Sequence, residues 1–302
     1  MEFFVSKNHN TLNRRQYSPE LLTPRLCLNP KYGVRLERPA NEMEILLDSG
    51  AFQDISDEQR LTPEGALERQ LRFEGRVGFR SSYLVSYDRI VDERITVDGQ
   101  RRKKRVGSQT AQKYVDETID AAQYLSEQRK ALRPRRLVLS NQGVTSPQYV
   151  GCVKEVVRFA EKGDVIGLGG FCIIGQVPRL IAGYFRVLQQ VLPVLERHHI
   201  RRLHLFGVGT FRVLIKTQAL CHKYGIEPSY DTSALEFNAA FGKAFVPDTM
   251  GEGPRGVHVT RVFDKKDKFT LYHPRDWALL NIRTVNYFWS ELNQLYPIKG
   301  VE

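Results

Sequence analysis

The chain has 302 residues, of which 41% are apolar and 10% are aromatic. This content excludes a disordered chain, and the length is sufficient for a large buried core. Lysine and arginine outnumber aspartate and glutamate by 45 to 34, which gives a net charge of +11 at pH 7. An excess of this size indicates a polyanionic partner, and it favours nucleic acid over a membrane surface. No apolar run approaches about 18 residues, so we expect no membrane-spanning segment.

The cysteines are few and widely separated. Cys27, Cys152, Cys172 and Cys221 form no C-x-x-C or C-x-C pair, so the sequence predicts neither a disulfide framework nor a zinc site built on paired cysteines. The first sixteen residues are too polar for a secretory signal. We therefore expect a reducing, cytoplasmic location.

From residue 44 onward, short apolar runs alternate with amphipathic stretches. The apolar runs cover 44–52, 82–88, 135–143, 164–170, 202–209 and 228–233, and the stretches of helical period cover 62–75, 108–132, 146–162, 178–198 and 210–225. Thr62 and Ser146 each precede a proline and are typical of helix starts, whereas Gly225 is typical of a helix end. Strands and helices that alternate every 30–40 residues or so predict a parallel sheet with helical crossovers.

Two weaker candidates bring the number of strands to eight. One is FFVS (3–6) or PRLCLNP (24–30) near the N-terminus, and the other is GVHVTRVF (256–263) near the C-terminus. The predicted fold is therefore an α/β (β/α)8 TIM barrel. We expect one domain over 1–302, with terminal embellishments, a motif-bearing core at 44–245 and a final helix within 272–296. A doubly wound open sheet is the alternative, but no G-x-G-x-x-G motif opens a helix after the first strand.

In a TIM barrel, the active site forms at the carboxyl ends of the strands. The residues predicted at that end are Asp48, Ser49, Gly50, Phe52, Gln53, Asp88, Asn141, Gln142, Gly143, Gly169, Gly170, Phe206, Gly207, Gly209 and Asp231. Taken singly, such aspartates are often helix caps, such glycines are often turn residues, and such phenylalanines are often core. Their convergence on one barrel mouth is what indicates a site.

This set of side chains suits a flat heterocycle. Phe52 and Phe206 can sandwich a ring, and Asp88 can accept two N–H bonds from a guanine-like edge. Gln142 and the Gly170 amide can bind a carbonyl oxygen. Two further carboxylates permit double displacement at an anomeric carbon, in which one attacks the carbon and the other transfers the proton.

Five segments, in order along 44–245, resemble motifs of the tRNA-guanine transglycosylases. DSGAFQ (48–53) is similar to their DSGGYQ or DSGGFQ, and SNQG (140–143) to the stretch that carries their base-binding glutamine. GLGGF (167–171) is similar to their GGL segment, FGVGT (206–210) to MGVG, and SYD (229–231) to the FDC around their nucleophile. The resemblance implies a TIM-barrel pentosyltransferase that exchanges a base through a covalent intermediate.

The resemblance also implies a role for each matching residue. Asp231 takes the place of the nucleophile that captures C1′ of the target nucleotide, and Asp48 that of the general acid and base. The residues matched to base binding are Asp88, Gln142, Gly169, Gly170 and Ser49, with Phe52 and Phe206 as the two stacking partners.

Two departures from the family pattern bear on cofactors and substrate. The C-x-C-x-x-C zinc motif is absent, although Cys221, His222, His258 and His273 are present, so we expect no metal and no other cofactor. The segment TSALEFNAAFG (232–242) replaces the basic segment that contacts the tRNA anticodon loop. The chain thus resembles more closely the 7-deazaguanine DNA transglycosylases of phages and bacterial genomic islands. The expected partners are DNA and a free 7-deazaguanine base such as preQ0, with tRNA as the alternative.

A basic run lies in the connection that leaves the Asp88 strand on the predicted mouth side. It comprises Arg101, Arg102, Lys103, Lys104 and Arg105, and we expect it to bind the phosphate backbone rather than to be a merely solvated loop. Two rival functions stay open, namely a non-catalytic nucleic-acid-binding subunit of the same fold and a barrel hydrolase acting on a nucleoside or sugar. A homodimer is also compatible with the resemblance.

Overall fold

The protein folds into a closed barrel of eight parallel strands, in a computed structural model that describes residues 1–7, 18–54, 60–91, 108–171, 178–246, 253–258 and 274–295. The strands are β1 (Glu2–Ser6), β2 (Arg25–Leu28), β3 (Glu44–Leu47), β4 (Tyr83–Val85), β5 (Arg136–Asn141), β6 (Val165–Leu168), β7 (Arg202–Leu205) and β8 (Glu227–Thr232). They pair in chain order, and β8 pairs with β1, for example through Asp231 and Phe4. The predicted TIM barrel is confirmed, and the open sheet is excluded.

Helices follow most of the barrel strands. They are α1 (Pro63–Val77), α2 (Ser108–Glu127), α3 (Arg129–Leu132), α4 (Ser146–Val156), α5 (Pro178–Arg197), α6 (Phe211–Lys223), α7 (Ala234–Ala240) and α8 (Pro274–Leu295). The Thr62 side chain accepts a bond from the Gly65 amide and caps α1, as expected. The cap of α4 is Thr145, one residue before the predicted Ser146. None of the described helices has both the length and the apolarity needed to cross a bilayer.

The predicted C-terminal barrel strand is wrong, and both N-terminal candidates are strands. Residues 3–6 lie in β1 and residues 25–28 in β2, so the barrel closes without GVHVTRVF. Part of that segment forms β10 (Arg255–His258), which pairs antiparallel with β9 (Lys243–Val246), and residues 259–263 lie outside the described part. An antiparallel two-stranded ribbon cannot continue a parallel barrel. The alternation of apolar residues in this segment correctly indicated a strand, but it did not show which strand would pair with it.

The final helix covers the seam where the barrel closes. The Asn293 amide donates to the Met1 carbonyl oxygen at 3.2 Å, and the Asn286 amide donates to the Leu22 carbonyl oxygen at 3.2 Å. Trp289 donates from its indole nitrogen to the buried Tyr230 hydroxyl. Between β2 and β3 the connection contains a short 3-10 helix, Ala40–Glu42, in place of an α-helix. Helix α8 runs from the mouth, where Asn281 contacts α7 and β9, to the amino end.

Alternate side chains of each strand point into the barrel, where apolar residues fill its middle. This inner cluster comprises Phe4, Cys27, Leu46, Tyr83, Val85, Val138 and Val165. The side chains that point outward pack against the helices and form a second, larger cluster. The middle of the barrel is thus a packed floor, and the residues above it form the mouth at the carboxyl ends.

The amino end of the barrel is closed by a network of paired charges. Its members are Glu2, Arg25, Glu44, Tyr83, Arg202 and Glu227. The Tyr83 hydroxyl donates to Glu44 at 2.7 Å and accepts from Arg202 at 2.8 Å. Burial and the neighbouring Glu44 carboxylate raise the pKa of Tyr83 to about 12, so this hydroxyl remains protonated. The cavity beside the network measures only about 10 Å³, which is room for one water molecule.

Candidate active site

The structure brings Asp48, Asp88 and Asp231 together at the mouth of the barrel. Asp48 directly follows β3, Asp88 lies three residues beyond β4, and Asp231 lies near the end of β8. Their charges interact, because Asp231 and Asp88 both raise the pKa of Asp48. The Cys27 thiol on β2 interacts with two of these acids, because its pKa is raised chiefly by burial and also by the charges of Asp231 and Asp48. The three predicted acids therefore lie at the same end of the barrel, close enough for their charges to interact.

Three donors hold the Asp231 carboxylate. The Gly207 amide donates to Oδ1 at 3.0 Å, and His204 Nε2 lies 3.2 Å from the same oxygen. The Ser6 hydroxyl, at the end of β1, donates to Oδ2 at 3.1 Å. Gly207 can aim its amide at Oδ1 because its φ of +67° is readily adopted by glycine. These three hydrogen bonds fix the position and orientation of the Asp231 carboxylate.

His204 contacts Asp231 but was not among the residues predicted from the sequence. It is fully buried in β7, and its Nδ1 lies 2.9 Å from the Ser229 hydroxyl. The rings of Phe4 and Phe206 contact it edge-on, with centroids 5.9 Å and 4.7 Å away. The available signal was strand alternation, because Arg202, His204 and Phe206 share the inward face of β7. Ser229 lies two residues before Asp231 on the inward face of β8 and therefore deeper in the barrel, so it is not a nucleophile facing the mouth.

Asp48 is held by neutral donors. The Ser49 amide donates to Oδ1 at 2.8 Å, and the Asn29 amide donates to Oδ2 at 3.0 Å. Burial first, and then the charges of Asp231 and Asp88, raise the pKa of Asp48 from 3.8 to about 7. A carboxyl group with this pKa can both donate and accept a proton near neutral pH, which is the requirement for a general acid and base.

Asp88 and Gln142 form a buried pair beside these acids. The Gln142 amide nitrogen donates to Asp88 Oδ2. Burial raises the pKa of Asp88 to about 6, although the bond from Gln142 opposes this shift. The Gln142 carbonyl oxygen is buried and has no hydrogen-bond partner among the described residues. The sequence predicted that Gln142 donates to a carbonyl group, whereas its nitrogen is engaged by Asp88 and the atom left open is an acceptor.

Two glycines make room for this pair. A Cβ atom on Gly169 would lie 2.0 Å from the Gln142 amide nitrogen, and one on Gly170 would lie 2.5 Å from the Tyr149 hydroxyl. That hydroxyl donates to the Gly169 carbonyl oxygen at 2.8 Å and fixes the turn. Gly169 and Gly170 therefore lie at the site, as predicted, and the absence of side chains there allows Gln142 to reach Asp88.

The two predicted stacking rings lie at different depths. Phe206 is half-buried against His204, and a Cβ atom on Gly167 would lie 2.5 Å from its ring. Phe52 lies in the 3-10 helix Ala51–Asp54, and its side chain is 55% exposed at the rim. A ring entering the mouth would thus meet Phe206 as an inner wall and Phe52 as an outer one.

The segment DSGAFQ is held in place by a cluster around Asp54. Arg69, on α1, donates to both Asp54 oxygens at 3.1 Å and 3.0 Å and also to the Ser49 carbonyl oxygen. Lys31 pairs with the same carboxylate at 2.7 Å. Gly50 has a φ of +77°, and a Cβ atom there would lie 2.6 Å from the Arg69 guanidinium. This packing fixes Asp48 and Ser49 at the mouth.

Several predicted residues are not placed at the site. The basic run Arg101–Arg105 and His273 lie outside the described residues. Cys221 is fully buried on α6, with His222 beside it in sequence on the same helix. Within the described ranges, no three histidine, cysteine or acidic side chains come close enough to hold a metal ion.

Comparisons with known proteins add little to this geometry. No family model matches the chain, and no curated protein matches it. Among solved structures, Rhizobium etli pyruvate carboxylase with its allosteric activator acetyl coenzyme A matches at a TM-score of 0.34 and 10% sequence identity. That match covers 98% of this chain but only 27% of the carboxylase chain. The chain thus spans about a quarter of that protein, and a likeness this weak carries no argument about function.

Proposed function

We propose that the protein is a base-exchange transglycosylase that replaces guanine in DNA by a 7-deazaguanine such as preQ0. The observation that carries the proposal is the contrast between two interacting carboxylates at one barrel mouth. The Asp231 carboxylate is bound by three hydrogen-bond donors that fix its orientation, whereas the pKa of Asp48 is raised to about 7. Double displacement at a sugar carbon requires such a pair, with one group as nucleophile and the other as acid and base.

In the first step, Asp231 attacks C1′ of the target deoxyguanosine as the bond to guanine breaks. Asp48 gives its proton to the departing base, and a covalent glycosyl-enzyme results. Oδ1 of Asp231 already accepts two N–H bonds, so Oδ2, which accepts only the Ser6 hydroxyl, is the oxygen available for attack. His204 acts through Asp231 as a positioning residue, because its buried ring fixes the carboxylate plane.

In the second step, Asp48 removes the N9 proton of the incoming deazaguanine, and N9 displaces Asp231 from C1′. The proton that Asp48 loses in the first step is thereby recovered in the second. One glycosidic bond replaces another, so the proposed reaction needs neither a redox cofactor nor a nucleoside triphosphate. A single carboxyl group must both give and take the proton, and a pKa of about 7 suits it to both tasks.

The acceptors of Asp88 and Gln142 support a guanine-type base. The Gln142 carbonyl oxygen, which has no hydrogen-bond partner among the described residues, and the Asp88 carboxylate are acceptors in a buried position. Guanine and 7-deazaguanines present N–H donors at N1 and at the exocyclic amine, and these donors would bind the Gln142 oxygen and the Asp88 carboxylate. A base with acceptors at that edge would leave buried acceptors facing one another, which is a costly arrangement.

DNA is favoured over RNA by the resemblance and by the surface after the nucleophile. The net charge of +11 suits either polymer. Residues 232–242 carry no lysine or arginine, unlike the basic segment that contacts tRNA in the resembled family. The target base must leave its stack to reach the mouth, which costs a few kcal/mol in duplex DNA and less in an unpaired strand.

The test is incorporation of a labelled base. Purified protein would be incubated with labelled guanine or labelled preQ0 and with single-stranded DNA, duplex DNA or tRNA. We expect label in DNA and little in tRNA, and we expect Asp231→Asn to lower incorporation by at least about 10⁴-fold and to abolish the covalent adduct.

Each rival function gives a different result in the same assay. Label in tRNA alone would indicate the RNA enzyme, and release of guanine without incorporation would indicate a hydrolase. Absence of label in every polymer would favour a non-catalytic subunit. Incorporation by Asp231→Asn at the wild-type rate would exclude Asp231 as the nucleophile.

A further inference from the structure

A pair of phenylalanines is exposed on α7, next to the proposed nucleophile. Phe237 and Phe241 are 56% and 61% exposed, and their ring centroids lie 4.7 Å apart. Among the described residues, Phe52 is the one other phenylalanine that is more than half exposed, and it also lies at the mouth. Large aromatic side chains that cluster at the surface are typical of binding surfaces, because a partner that buries their apolar area stabilises the complex.

The start of α7 is fixed against the catalytic turn. The Thr232 hydroxyl accepts a bond from the Ala234 amide at 3.0 Å and redirects the chain from β8 into α7. A Cβ atom on Gly209 would lie 2.9 Å from the Ala234 Cβ, so the first turn of α7 packs against residues 206–210. The Gly207 amide in that turn donates to Asp231. The exposed rings therefore begin about one helical turn from the residues that hold the nucleophile.

The surface around these rings favours an anionic partner. We define the α7 rim as α7 together with Phe241 and the β9–β10 ribbon. It includes the exposed Arg255 and the half-buried Lys243, and its one acidic residue within the described ranges, Glu236, is buried. Lys243 lies two residues after Phe241, and exposed aromatic rings combined with cations are typical of surfaces that bind single-stranded nucleic acid.

We propose that the α7 rim binds the unpaired DNA strand beside the target nucleotide, with bases stacked on Phe237 and Phe241. The inference rests on the proposed function, and it names the form of DNA that the enzyme takes. Bases in a duplex are stacked on one another and do not present their faces to a protein side chain. Two adjacent exposed rings thus favour a single strand, or a duplex that is already opened at the target.

The test compares strand binding by matched variants. The probe is a fluorescein-labelled single strand of about 12 nucleotides, and the measurement is its anisotropy at fixed salt, beside a duplex of the same sequence. Each base that stacks on a ring stabilises the complex with the strand. We therefore expect the double variant, Phe237→Ala with Phe241→Ala, to weaken single-strand binding by about 10- to 100-fold. Duplex binding should change by less than about twofold, since it depends on phosphate contacts.

Two further variants separate stacking from apolar bulk and from general surface effects. Phe237→Tyr with Phe241→Tyr keeps two rings and should retain wild-type binding, whereas the corresponding leucine pair should lose most of it. Leu71→Ala, which removes an exposed apolar side chain from the outer helix α1, is the control and should have no effect. Equal single-strand binding by the alanine pair and the wild type would overturn the inference.

The mass of the protein in solution tests the competing occupant. If the α7 rim instead contacts a second copy of this chain, the alanine pair would convert a dimer to a monomer in sedimentation experiments, and the leucine pair would not. That result would also overturn the inference.

The proposal of base exchange and the proposal of strand binding can be refuted independently of each other. Wild-type incorporation of labelled base, together with unchanged binding by the alanine pair, would refute the α7 rim and leave the proposed function standing. Binding that depends on the two rings, without any base exchange, would support the α7 rim and refute the proposed function.

Discussion

At the amino end of the barrel, the carboxylates of Glu2, Glu44 and Glu227 each lie 2.9–3.6 Å from an arginine. At the carboxyl end, Asp48 and Asp88 form no ion pair with lysine or arginine in the part of the chain that the structure describes, and both have raised pKa values. The carboxylates at the amino end are thus paired with arginines, whereas Asp48 and Asp88 at the mouth are buried and their ionised forms are disfavoured. Perturbed carboxylates of this kind concentrate at functional sites, which is why the mouth rather than the amino end is the candidate for chemistry.

The comparison is tested most strongly by Asp48→Asn. Removal of the proposed general acid and base should lower the proposed base exchange by about 10²- to 10⁴-fold. The same change should stabilise the fold relative to wild type as pH rises. The pKa of Asp48 is about 7 in the folded protein and 3.8 as its ordinary value, so folding favours the protonated form. The penalty for ionising Asp48 is absent below about pH 4 and grows as pH rises through about 7.

The measurement is the free energy of unfolding of both proteins by denaturant at two pH values. We expect the variant to gain about 2–3 kcal/mol over wild type between about pH 5 and pH 8. The new amide would set an N–H group against the Asn29 donor, but that cost does not depend on pH and cancels in the difference. A gain of the same size in Glu44→Gln, at the amino end, would contradict the comparison.

His204 gives the second test, with an effect of about 10- to 100-fold on kcat. His204→Met and His204→Gln have side chains of similar length, but only glutamine retains an N–H donor for Asp231 Oδ1. We expect the methionine variant to lose this factor in kcat with little change in KM, and the glutamine variant to recover most of it. Equal losses in the two variants would mean that His204 serves packing alone.

Tyr83→Phe should have the smallest effect. It removes the hydroxyl that links Glu44 to Arg202 at the amino end, and water can reach both of these half-exposed partners. We expect a loss of about 1 kcal/mol in the free energy of unfolding and base exchange within about twofold of wild type. A much larger loss of activity would show that the amino end contributes to the site.

The sequence was sufficient to predict the barrel and to place three acids at its carboxyl end. Asp48, Asp88 and Asp231 follow or end apolar runs, and the carboxyl ends of barrel strands must meet. Ser6 and Asn29 were not predicted because they depend on β1 and β2, which were weak candidates. His204 lies inside an apolar run, where a buried histidine resembles an ordinary core residue. The segment 256–263 was assigned to the barrel because alternation does not distinguish a barrel strand from a ribbon.

The bond between Ser6 and Asp231 joins residues 225 positions apart in the chain. During synthesis, β1 leaves the ribosome long before β8 is made. The Ser6 hydroxyl therefore cannot yet donate to Asp231. The three-donor arrangement around Asp231 can form only when the last strand docks beside the first. A nascent or truncated chain therefore lacks this arrangement of donors, and we expect the proposed base exchange to appear only once β8 has docked beside β1.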